Sequence, residues 1–337
     1  MQHMANASSP TLRVTAKDCG AGFFALVVYA LNQFIWAESN SYTPAVDFGE
    51  RCRDGRLNRY YDALHGPNVW EYFFAPVSSR VLRPSDHQLA VKQLFALHHT
   101  SAASIQTYPH GIHRHLKVPR WRYDEGWHRE MRSRASRTLR RYVQLRPTPL
   151  RAVRAFYRDR VLALGEQRPV LGLHLRGTDK MSRIGGRIMG PERYRPLIQH
   201  YMQKRPDAVL LLASDSPTFV AEMQREYGQR LVVYDALRSE RNAFADKRLS
   251  DNFRKGVDAL VDALALSCSN FLIKPASALS EFAVYWNYPG LHNHTYEIQY
   301  EAGLPDPIAA LDAHLASPRD ALRGWNRCAE VMREEPR

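Results

Sequence analysis

Cysteine is scarce in this chain of 337 residues. Four are present, at positions 19, 52, 268 and 328, with no C-x-x-C pair and no histidine-rich spacing around them. That excludes a disulfide-dense scaffold and argues against a zinc centre, while leaving room for one bridge. Long apolar runs are missing too. The run 23–31 is far short of a bilayer span and ends at Asn32 and Gln33. No A-x-A-like site stands behind it to mark a signal peptide. Also absent are an internal repeat, a low-complexity segment, a P-loop, a zinc finger, an RNP-type aromatic motif and a D-x-D carboxylate pair. The last absence removes the usual clamp for a metal–diphosphate complex, so a metal-independent chemistry is expected.

What is abundant is arginine. The formal net charge is +13, but residues 114–160 hold fifteen basic and four acidic residues, so the excess is nearly all in one segment. Such a segment is either a solvated helical face or a contact surface for a polyanion. The rest is ordinary for a globular protein, with 45% apolar and 24% charged residues. At this length two domains are expected.

The chain opens as strand, glycine loop, helix and strand: 12–17, 18–22, 23–38 and 43–48. Residues 69–74 (V-W-E-Y-F-F) read as a strand carrying Glu71, and 82–146 as mostly helical or irregular. Two prolines in Arg146-Pro147-Thr148-Pro149 break any continuing helix and mark a crossover. Beyond it, helices over 150–164, 191–203, 218–227, 251–267 and 278–286 alternate with strands over 170–175, 208–213, 231–234 and 271–273. That alternation predicts an α/β fold with a parallel sheet. The expected division is 11–146 on one side of a cleft and 150–315 on the other.

The densest chemistry lies in V-L-G-L-H-L-R-G-T-D-K, 170–180. Period two puts His174 and Arg176 on one face of a strand, and Gly177 allows a tight exit. Ligands of open α/β sheets collect beyond the carboxyl ends of strands, and Arg grips phosphate with two parallel N–H bonds. The same pattern also suits a surface arginine ending a core strand. Two further strand ends carry Ser214/Asp215 and Lys274/Ser277. Asp262 borders an apolar helical stripe of Val257, Leu260, Val261 and Leu264. A carboxylate there needs donors, which a guanine N–H edge would supply, unless it is a surface acid at the stripe's border.

Five blocks in this order resemble the GT-B fucosyltransferase superfamily, which includes the rhizobial nodulation fucosyltransferase, the core α-1,6-fucosyltransferases and, more distantly, protein O-fucosyltransferases. They are T-A-K-D-C-G-A-G-F-F with T-P-A-V-D-F-G, then Y-V-Q-L-R-P-T-P-L-R, V-L-G-L-H-L-R-G-T-D-K, L-L-L-A-S-D-S-P, and L-V-D-A-L-A-L-S-C-S-N-F-L-I-K-P-A-S-A-L. The likeness spans 141–286 well, 12–49 thinly and 78–140 not at all. It implies a GT-B fold of two Rossmann-like domains facing a cleft. The implied reaction is inverting transfer from GDP-fucose to a glycan hydroxyl, with no cofactor. Arg176 would bind the diphosphate, with Asp179 and Lys180 shaping the loop near the sugar. His174 and Asp262 would contact guanine, Ser277 would donate to the β-phosphate, and Asp215 would hold the network beside it. Gly20 and Gly22 would bring backbone N–H groups to the same phosphates.

Two departures matter. Gly177 stands where some members carry a second Arg, and Ile184 stands where core α-1,6 enzymes place a glutamate base. Asp18, Glu71, Asp179 and Glu281 are the base candidates. The sequence reads as cytoplasmic, or as a Golgi-lumenal enzyme if an anchor precedes it. Another GDP-hexose could serve as donor, and a polyanion-binding protein on a degenerate scaffold is the alternative from a different class.

Overall fold

The computed structural model describes residues 9–17, 19–99, 104–105, 125–165, 168–178, 190–241, 245–298 and 307–316. The N-terminal half begins with β1 (Thr11–Thr15), α1 (Phe23–Ser39) and β2 (Thr43–Asp47), the two strands pairing in parallel. Residues 23–34 of α1 are buried all round, as expected for a helix with no polar face inside its apolar run.

Residues 69–74 correct the expectation of a strand. They form a single helical turn, α2 (Trp70–Phe73), with only Phe74 bridging to Leu145. The cause lies just upstream. Asn68 Oδ1 accepts from the backbone N–H of Trp70 and its amide donates to Glu71 Oε1 (2.9 Å), a local turn that apolar alternation does not reveal. Two helices follow, α3 (Val91–His99) and α4 (Glu125–Tyr142). Next, α5 spans Pro147–Phe156. The chain does break before it, but Pro147 starts the helix, because proline suits a first turn whose N–H has no helical partner.

The second half builds a five-stranded parallel sheet. Its elements are β3 (Val170–Leu175), α6 (Pro191–Lys204), β4 (Val209–Ser214), α7 (Pro217–Tyr227), β5 (Leu231–Val233), α8 (Asn252–Ser267), β6 (Phe271–Lys274), α9 (Ala278–Trp286), β7 (Thr295–Glu297) and α10 (Pro307–Ala316). Strand order is β5-β4-β3-β6-β7. Strand β7 and helix α10 had no signal in the sequence reading; β7 has three residues, too few to show a period. β3 and β4 are buried along their whole length, which explains why both read as continuous apolar runs.

Period two along β3 sorts its side chains. Leu171, Leu173 and Leu175 join one apolar cluster with Tyr194 and Ile198 of α6. Val170 joins the other, which contains α8 and α9. Residues 174 and 176 continue that second face. The same cluster includes Val14, Phe24, Val153, Leu260 and Phe282, so apolar packing crosses the 146–150 junction. Phe24 of α1 meets Phe282 of α9 with ring centroids 4.4 Å apart. Gly256 of α8 is needed where the helix meets Phe73, because a Cβ there would overlap the phenyl ring. The fold is thus mixed α/β with parallel sheets. Among the described residues the N-terminal half pairs only two strands, so the two-domain GT-B division stays a sequence expectation.

Candidate active site

The carboxyl ends of β3, β4 and β5 converge on a cavity of about 130 Å³. Its walls include His174 and Arg176 from β3, Ser214 and Asp215 from β4, and Ala236 and Leu237 beyond β5. Lys255, Asp258 and Asp262 of α8, the start of α9 (Ala278, Leu279), the start of α1 (Gly22, Phe23, Phe24) and Tyr60 complete it. One cavity therefore gathers segments more than 200 residues apart in sequence.

On its wall Arg176 Nη1 donates to Ser277 Oγ (2.9 Å). Asp215 holds the turn that follows: Gly177 N–H donates to Oδ1 and Thr178 Oγ1 to Oδ2, both at 2.8 Å. Gly177 itself is locked in place. A Cβ there would lie 2.8 Å from the Phe219 ring of α7, so a larger residue at this position would have to displace that ring. His174 is buried, sharing a 2.9 Å hydrogen bond between Nδ1 and Ser280 Oγ, while Tyr194 donates to its carbonyl (2.7 Å).

Two carboxyls of α8 are poorly satisfied on the wall, Asp262 and Asp258, whose Oδ1 has no partner among the described residues. Asp262 is only 9% exposed and accepts no hydrogen bond from any described residue. Burial raises its pKa to about 8, against an opposing pull from Arg238, with Asp258 and Asp215 adding to the rise. Arg238 is near but committed, donating to the carbonyls of Ser214 (3.1 Å), Ala236 (3.0 Å) and Tyr234. One turn earlier, Asp258 Oδ2 accepts from Leu237 N–H (2.7 Å), and burial raises its pKa as well.

Several expected residues lie elsewhere. Ser277 is fully buried behind Ala278, off the wall, and reaches the cavity through Arg176. Gly22 lines the cavity and Gly20 does not. The N–H of Phe23 at the start of α1 already donates to Tyr60 Oη (2.8 Å). Asp18, Asp179, Lys180 and Ile184 lie outside the described residues.

Glu281 is excluded as a base by its surroundings. Both it and Lys274 are 0% exposed. Arg132 of α4 grips Glu281 with Nη2 (2.6 Å) and Nε (3.3 Å), and Lys274 Nζ stands 3.0 Å away while also pairing with Glu297 (2.7 Å). Burial would raise the Glu281 pKa, but Arg132 and Lys274 outweigh it and hold the carboxyl well below its usual range. Arg132, at 5% exposure, is a buried member of the basic segment 114–160, for which the sequence offered a solvated face or a polyanion contact surface. Glu71 is off the cavity wall, held by Asn68 and facing Arg146 at 3.9 Å.

The sequence reading missed Tyr60, Lys255 and Asp258 as wall residues. Lys255 and Asp258 had a usable signal, their i, i+3, i+7 spacing with Asp262; Tyr60, in a loop, had none. It also left the cysteines unpaired. Cys19 and Cys52 form a disulfide (Cα–Cα 5.6 Å) that ties the glycine loop to the stretch after β2. Asp54 lies beside them at metal-like spacing, but both sulfurs are used by the bridge.

No family model matches this chain, and no curated protein does. Among solved structures it is similar to a mutant of Arabidopsis thaliana FUT1 in complex with GDP, at 12% identity and a TM-score of 0.42, over 84% of this chain and 69% of that one. At that score the likeness carries no argument. No helix among the described residues is long and apolar enough to cross a membrane.

Proposed function

We propose that the protein is an inverting, metal-independent glycosyltransferase that moves a sugar, fucose by the family resemblance, from a GDP-sugar to a glycan hydroxyl. The observation that carries this reading is the placement of Arg176 and Asp262 on the walls of one cavity. A guanidinium answers a diphosphate, and an unpartnered buried carboxyl answers two adjacent N–H donors of guanine. The five sequence blocks support the same reading. The absence of a D-x-D pair supports metal independence.

The transition state of such a transfer resembles an oxocarbenium ion, with negative charge growing on the departing diphosphate. Arg176, pre-oriented by Ser277 and by the Asp215-held turn, is aimed to meet that charge. His174 packs beside the base. Deprotonation of the acceptor hydroxyl falls to Asp18 or Asp179, once Glu281 is committed to Arg132 and Lys274 and Glu71 is off the wall. None of the described wall residues is assigned to the sugar, so another GDP-hexose stays the alternative donor. The Cys19–Cys52 bridge favours an oxidising lumen over the cytoplasm.

The test is thermal unfolding with GDP. At a concentration a hundredfold above Kd the ligand stabilises by about 2.7 kcal/mol and raises Tm. GDP-sugar hydrolysis across a donor panel then names the sugar. No shift with GDP, together with salt-sensitive oligonucleotide binding, would replace the transferase by the polyanion-binding alternative.

A further inference from the structure

The cavity-facing side of α8 carries, besides Asp262, a cation with no acid paired to it among the described residues. Lys255, Asp258 and Asp262 occupy positions i, i+3 and i+7, one helical face, and all three line the cavity. Lys255 offers a cation and Asp262 a carboxyl that ionises near pH 8, about 10.5 Å apart along the helix axis. The protein matches neither well. Asp262 has no hydrogen-bond partner among the described residues, as shown above. Lys255 Nζ has one, the neutral Oδ1 of Asn252 (3.0 Å) on the same helix. Partial burial lowers the Lys255 pKa; Asp246 and Asp251 attract it from beyond ion-pair distance, and Arg59 repels it.

A half-buried ammonium whose one hydrogen-bond partner among the described residues is an amide oxygen is poised for an anion. A nucleotide has the matching shape: a base edge of N–H donors at one end and phosphates at the other. With the base on Asp262, Arg176 from the sheet and Lys255 from the helix are cations on the same wall available to the nucleotide's 5′ phosphates. We propose that Lys255 binds the phosphates of the nucleotide donor, so that α8 alone reads both ends of the ligand. This rests on the nucleotide-cavity reading above. No sequence motif singles Lys255 out. Only its helical register with Asp262 and its place on the wall do so.

The experiment compares GDP with guanosine, which shares the base and lacks the phosphates, by calorimetric titration of the whole chain. Lys255→Met keeps the length of the side chain and removes its charge. It is expected to weaken GDP about tenfold, the scale of one charge-assisted contact, and to leave guanosine unchanged. Lys255→Arg is expected to restore GDP binding to within about threefold. Asp262→Asn, by contrast, weakens both ligands. Equal losses for GDP and guanosine in Lys255→Met would make the residue a packing element and overturn the proposal, as would unchanged GDP affinity. Lys255→Gln repeats the comparison if the methionine variant does not fold. If the unmodified protein binds neither ligand, the nucleotide-cavity reading itself fails; if it binds GDP and only the Lys255 variants disagree, that reading stands and this one falls.

Discussion

Arg176 donates to Ser277 Oγ across 2.9 Å, joining the end of β3 to the first turn of α9. The two residues lie 101 positions apart, yet this bond sets the direction of the guanidinium on the cavity wall. Arg176→Ala is expected to lower kcat/KM for GDP-sugar turnover by at least about a hundredfold, the usual loss when a preorganised charge donor is removed. Because Arg176 lies at the wall and not in the core, Tm should move by only a few degrees. Turnover near the unmodified rate would falsify the assignment.

Asp215 bridges Gly177 N–H and Thr178 Oγ1 and so fixes the turn that carries Arg176. Asp215→Ala leaves both donors without an acceptor. We expect a stability loss of about 1–3 kcal/mol in urea unfolding and a larger fall in kcat than in GDP affinity. Asp215→Asn, which retains one acceptor, should fall between.

Asp262 has a defined pH signature. The folded, empty protein keeps the proton on this carboxyl up to about pH 8, whereas the unfolded chain releases it near pH 4. The folded state therefore binds more protons across that window, and Asp262 lowers stability as pH rises through it. Asp262→Asn should raise Tm at pH 8 and have little effect at pH 4. Guanine needs the ionised form, so GDP affinity should rise about eightfold from pH 7 to 8.5 in the unmodified protein and stay flat in Asp262→Asn. A flat profile in the unmodified protein would sink this account of base recognition.

Gly177 lies against the Phe219 ring and Ser216. Gly177→Ala is expected to cost about 1–3 kcal/mol by overpacking, with a parallel loss of activity from displacement of Arg176. Phe219→Ala in the same chain should relieve part of the activity loss, which a generally destabilised protein would not show.

Glu281 is held by Arg132 and Lys274 in a fully buried network. Glu281→Ala leaves the buried Arg132 without its carboxylate and Lys274 with Glu297 alone, and should cost about 3–5 kcal/mol, read from chemical denaturation. Because the Glu281 pKa is held low, the network's contribution is present above the ordinary carboxylate range and fades as pH falls below it. A stable, inactive Glu281→Gln protein would return Glu281 to the list of bases.

The amino-acid sequence by itself determined where most elements of the second half fall. The strands of 170–175 and 209–214 are buried on both faces, so composition alone marks them, and 251–267 shows its period through Val257, Leu260, Val261 and Leu264. It also placed His174 and Arg176 on one face, because strand periodicity is a local property. Tertiary structure decided the rest. Which arginine of 114–160 is buried depends on Glu281, 149 residues away from Arg132, and no local pattern encodes that distance. The same holds for the Cys19–Cys52 pairing, for Tyr60 on the cavity wall and for Glu71, whose turn is set by Asn68 and not by alternation. A period of two or 3.6 residues reports which side of an element is apolar; only long-range packing fixes which partner that side meets, and hence which charge is left facing the cavity.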